Sequence, residues 1–96
     1  MFNVELVSIA EDELSEAFNW YENQPNDLGN RLFREINHLL KIIEGNPFYY
    51  PVKYPGEIRS ASLSKFPYLI IYWVDEANNN VIVLSIFHTS RKPIQF

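Results

Sequence analysis

Two apolar runs in the second half of the chain, "PYLIIYWV" and "NVIVLSIFH", constrain its fold more than any other feature. Both are rich in β-branched and aromatic residues, and the "EANNN" between them is a polar turn. They therefore read as an antiparallel hairpin. With a period of two, Tyr68, Ile70, Tyr72 and Val74 fall on one face of the first strand, and Leu69, Ile71 and Trp73 on the other. In the second, Ile82, Leu84 and Ile86 oppose Val81, Val83 and Phe87. Strands apolar on both faces need cover on both faces. The rest of the chain must supply that cover, or another molecule must.

The first half offers two helices. "FNVELVS" alternates as a first strand, and the period then changes: Ala10, Leu14, Ala17, Phe18 and Tyr21 form an apolar helical stripe. Ser8 reads as its N-cap, with Glu11, Asp12 and Glu13 near the positive end of the helix dipole. Pro25 separates it from a second helix carrying Leu28, Leu32, Ile36, Leu39, Leu40 and Ile43 on one side. That helix stops at Gly45-Asn46-Pro47. Gly29 near its start reads as a close helix–helix contact, and so short a link implies an antiparallel hairpin. "NPFYYPVKYPGE" reads as a packed loop, and "EIRSASL" as a further strand. The order is β-α-α-β-β-β, an α+β domain with a helical hairpin on a mainly antiparallel sheet. It spans residues 1–96 as a single domain. Two helices cover only one sheet face: either a curled sheet, the "FYYPVKY" loop and the tail cover the other, or another chain does, in which case the isolated protein is expected to be sticky or oligomeric until a partner covers it.

Charge narrows the partners. The net charge is −4, which weighs against nucleic acid as the main partner. Residues 1–48 hold three Lys/Arg against nine Asp/Glu, and residues 49–96 hold five against three, so the halves carry −6 and +2. No cysteine is present, which removes disulfides and thiolate metal sites. The N-terminal stretch lacks a signal-peptide pattern, and the longest apolar run falls far short of the ~20 residues of a membrane span. A cytoplasmic protein with no membrane association is the expectation.

Taken in succession, "AEDELSEAFNWYENQ", "RLFREINHLLKIIEGNP", "EIRSASLSKFPYLIIYWV" and "VIVLSIFHTSRKP" resemble the ParE/RelE superfamily of bacterial type II toxin–antitoxin toxins, from about Phe2 to Pro93. The resemblance implies the β-α-α-β-β-β fold and a role in growth inhibition and plasmid stabilisation. It also implies a cognate antitoxin whose C-terminal segment folds over the toxin, as a hetero-oligomer or with a toxin homodimer. Two activities occur among such toxins. RelE-like members cut mRNA on the ribosome, whereas ParE-like members bind DNA gyrase and trap its cleavage complex.

The residues favour the second. Cleaving RNA without a metal needs a proton acceptor, a proton donor and cations around the phosphate. RelE-like toxins resemble one another in an Arg after the tyrosine that opens the central strand, but Tyr68 is followed here by Leu69. After Pro47 come Phe48, Tyr49 and Tyr50, with no carboxylate, and Gln95 and Phe96 do not match the base-stacking tail. His88, Arg59 and Arg91 remain as candidate catalytic groups for a ribosome-dependent endoribonuclease, with Lys53 and Lys65 as further cations. A histidine at a strand end more often makes one structural hydrogen bond, and Arg59 more often anchors the fold or a partner carboxylate. Glu57 reads as a surface ion-pair partner for Arg59. On the ParE-like reading, Arg59, Tyr72, His88, Arg91 and Lys92 contact target or antitoxin. With only three glycines and two well-separated histidines, no phosphate loop or metal-ligand pattern is present, and no cofactor is expected.

Overall fold

The computed structural model describes residues 2–90. Strand β1 (Asn3–Leu6) leads into helices α1 (Ser8–Glu22) and α2 (Leu28–Gly45). Strands β2 (Val52–Tyr54), β3 (Ile58–Ser62), β4 (Tyr68–Asp75) and β5 (Asn80–His88) follow. The sheet order is β1-β5-β4-β3-β2. β1 runs parallel to β5, and the other pairs are antiparallel. This is the expected α+β arrangement with one strand added.

That strand is β2, which lies in the segment expected to be a loop. Val52 pairs with Arg59 and Tyr54 with Ile58, with an irregularity between them. Pro51 and Pro55 confine it to three residues, and prolines are tolerated because the strand sits at a sheet edge. Gly56 at φ 86° and Glu57 at φ 59° turn the chain back into β3.

Helix α1 begins without the side-chain cap expected of Ser8. Val7 is the cap residue, and no side chain bonds to the first turn. The Val7 N–H still donates to Val83 O at 3.1 Å, so the β1–β5 ladder runs straight into the helix and leaves no free cap geometry. Asn26 and Asp27 both adopt left-handed φ, 66° and 59°, which these two residue types accept most readily after glycine. They reverse the chain into α2. Gly29 is the close contact anticipated: a Cβ there would lie 3.0 Å from the Glu22 Cα.

Both helices cover one sheet face. Ala10 and Ala17 of α1, and Leu32, Ile36, Leu39 and Ile43 of α2, join Ala61, Ile70, Tyr72, Val81, Val83 and Ile86 in one buried cluster. The membership corrects the strand parity expected for β5, because Val81, Val83 and Ile86 share a face. The register explains it: Ile71 pairs with Ser85 and Tyr72 with Val83, leaving Leu84 as an extra residue in a β-bulge. An extra residue reverses the alternation beyond it. The bulge is held by α1, since Glu13 Oε1 accepts from the Ser85 hydroxyl at 2.7 Å and the Ile86 N–H at 3.0 Å.

Among the described residues no helix lies over the opposite sheet face. Alternation from the core residues puts Leu69, Ile71, Trp73, Ile82, Leu84 and Phe87 there. Ile71 is sealed by its surroundings, Trp73 is 38% exposed, and the other four are half-buried. Among the described residues, no helix is long and apolar enough to cross a membrane.

Candidate functional site

Three places hold the groups singled out above. The first is the junction of β3, β4 and the segment after α2. The Arg59 guanidinium donates through Nη1 to Tyr50 O at 2.6 Å and to Phe48 O at 3.3 Å, and lies over the Phe48 ring at 5.2 Å. It therefore clamps the 47–50 segment to the sheet through backbone carbonyls. The expected pairing with Glu57 is replaced by these bonds. Arg59 is the cross-strand partner of Tyr72, whose hydroxyl donates to Pro47 O at 2.7 Å. Tyr72 is fully buried, so its expected contact with a target or antitoxin gives way to a core role. Burial pushes its pKa up to about 12, with the nearby Arg59 charge opposing and Tyr50 adding to the rise. Burial also raises Tyr50, helped by Tyr49.

The second is the end of β5. His88 pairs with Tyr68 across the ladder and packs edge-on to its ring, centroids 5.0 Å apart. The Ser90 N–H donates to His88 Nδ1 at 3.1 Å. An Nδ1 that accepts a backbone hydrogen bond has no proton to give, so in the neutral ring the proton sits on Nε2. Around it lies a cleft of about 260 Å³ lined by Glu16, Trp20, Tyr21, Tyr68 and His88. Arg91 and Lys92 lie outside the described residues.

The two places do not converge. His88 is opposite Tyr68 and Arg59 is opposite Tyr72, on the two sides of β4. Four residues along a strand and two inter-strand steps separate their backbones by roughly 16 Å. A phosphate undergoing cleavage needs its proton donor and its cations in contact with one group of atoms. His88 and Arg59 serve separate parts of the fold. Among the described residues no cluster of three histidines or carboxylates could hold a metal ion.

The third place is the uncovered sheet face. Strands β3 to β5 contribute Ser60, Ser62, Leu69, Ile71, Trp73, Ile82, Leu84 and Phe87 to it and no cation. On these strands its chemistry suits apolar burial against another protein, with two serine hydroxyls and no cation to meet a phosphate. Its apolar residue types were legible in the sequence. The bulge that sets which of them share the face, and the grip of Glu13 upon that bulge, left no local signal.

Comparison with known proteins agrees with this architecture. A family model described as the ParE toxin of the type II toxin–antitoxin system, parDE, matches residues 4–93. A solved structure from P. aeruginosa, described as a chromosomal ParDE TA system, superposes with a TM-score of 0.76 at 14% identity. The match covers 94% of this chain and 98% of that one. No curated protein matches.

Proposed function

The chain belongs to the ParE toxin family of type II toxin–antitoxin systems, and we propose that it acts by binding a protein target, DNA gyrase, rather than by cutting RNA. The observation that carries this reading is the sheet face without a helix over it: it is apolar, it lacks cations on β3 to β5, and His88 and Arg59 lie apart from one another, at the end of β5 and over the 47–50 segment. Such a face gains free energy from docking on protein, at roughly 25 cal/mol per Å² of apolar area removed from water. A cognate antitoxin neutralises the toxin by laying a helix and a strand across that uncovered apolar surface, a mode of pairing that sheet edges favour. Free toxin, its antitoxin complex and its target then share the cytoplasm.

The test uses purified protein with gyrase and supercoiled DNA. Inhibition of supercoiling and accumulation of cleaved DNA are expected. No effect at micromolar toxin removes gyrase as the target. Cleavage of ribosome-bound transcripts that depends on His88 would replace the binding reading with the endoribonuclease one.

A further inference from the structure

The cations of the first half of the chain are gathered on one surface. Residues 1–48 contain three Lys/Arg, namely Arg31, Arg34 and Lys41. All three lie on α2, with His38 between them. Their spacing of i, i+3, i+7 and i+10 puts them within about 80° of one another around the helix. All four side chains are exposed. From the β3–β4 connection Lys65 joins them, lining an open cleft with Arg31, Arg34, His38, Ser64 and Phe66. Glu35 sits in this cleft but turns to that connection, accepting from the Lys65 N–H at 3.0 Å and the Ser64 hydroxyl at 3.3 Å. Asp27 is 4.0 Å from Arg34, with both side chains well exposed, a pairing too weak to withhold the guanidinium from another anion. Helix α1, by contrast, carries five carboxylates and no Lys or Arg. Overall charge is negative, yet this one face is cationic.

We propose that the outer face of α2, with Lys65, docks on the phosphate backbone of duplex DNA. From Arg31 to Lys41 the helix advances about 15 Å, the axial span of about four phosphates of one strand. Guanidinium groups match phosphate oxygens in a planar, two-pronged geometry. The face is open, and the one aromatic ring in its cleft, Phe66, is packed edge-on to Tyr21 against the core rather than standing out as the anchor on which protein–protein hot spots rely, which favours DNA over an acidic protein. Contact of this kind positions without reading sequence. The proposal rests on the gyrase reading only for the source of the DNA. A toxin seated on gyrase through its apolar sheet face would steady itself on the DNA that the enzyme holds.

The experiment measures anisotropy of a labelled duplex of about 20 bp against the full chain at roughly 50 mM salt, where phosphate contacts are strongest. The wild type is expected to bind with a salt slope near −3, from about three phosphate contacts. The triple variant Arg31→Ala/Arg34→Ala/Lys65→Ala is expected to bind at least about tenfold more weakly with a flatter slope, its far-UV spectrum and Tm showing that the fold persists. Equal binding by wild type and triple variant, absence of binding by the wild type, or competition by poly-glutamate as effective as by unlabelled duplex each overturns the proposal. Gyrase pulled down without DNA should bind both proteins equally. If gyrase binds neither, the gyrase reading fails and the anisotropy result still decides this one.

Discussion

Replacing Glu13 by Ala should destabilise the fold far more than its place in a surface helix suggests. Its carboxylate holds two donors of the β5 bulge, the Ser85 hydroxyl at 2.7 Å and the Ile86 N–H at 3.0 Å. Bonds to a charged acceptor contribute roughly 1.5–3 kcal/mol each, and a buried donor left unpaired costs about 1–3 kcal/mol. The two bonds share one oxygen, so their effects do not add fully, and Glu13→Ala is expected to cost about 2–4 kcal/mol. For a domain of this size that lowers Tm by on the order of 10–20 °C. Ser85→Ala keeps the bond to the Ile86 N–H and should cost about 1–2 kcal/mol. The double variant should cost little more than Glu13→Ala alone, a coupling of about 1 kcal/mol or more. Urea unfolding followed by Trp fluorescence, with an unchanged m-value, measures all three. A Glu13→Ala protein within about 0.5 kcal/mol of wild type, or strict additivity in the cycle, would refute the pinning of the bulge by α1.

Tyr72→Phe removes the buried bond to Pro47 O and should cost about 1–2 kcal/mol at neutral pH. Its folded pKa of about 12 lies above the unfolded value near 10, so the unfolded state releases its proton first. Wild-type stability from this group is therefore full below pH 10 and falls by about 2–3 kcal/mol as pH rises toward 12, a loss absent from the Phe variant in urea titrations across that range. Gly29→Ala forces a Cβ to 3.0 Å from the Glu22 backbone and should cost about 1–3 kcal/mol despite the better helix propensity of alanine, measured by thermal unfolding. Free protein should bind a hydrophobic dye or self-associate in sedimentation, and addition of antitoxin should abolish both. A monodisperse monomer without dye binding would count against an uncovered apolar face.

Much of the fold was legible because its signals are local. The "EANNN" turn joins β4 to β5 where expected, with Asp75 accepting from Asn78. Leu32, Ile36, Leu39 and Ile43 of the α2 stripe are buried as its 3.6-residue period requires, Leu28 and Leu40 are half-buried, and Gly29 meets α1. Other features depend on contacts between distant residues and leave no such mark. The β5 bulge reverses parity at Leu84 because Glu13, 72 residues from Ser85, supplies the missing acceptor. β2 looks like a loop because its flanking prolines disfavour any strand except an edge. Within the candidate site, Arg59 was readable as an anchor. Tyr72 seemed available to a partner because its hydroxyl acceptor, Pro47 O, lies 25 residues away.

Induced expression of wild type and His88→Ala in cells carrying paired reporters for the SOS response and for translation tests the central claim most directly. A toxin that binds gyrase should switch on SOS before translation falls, and His88→Ala should keep that order of events, weakening it at most as a lost contact would. Translation lost first, without SOS and only while His88 is intact, would contradict it.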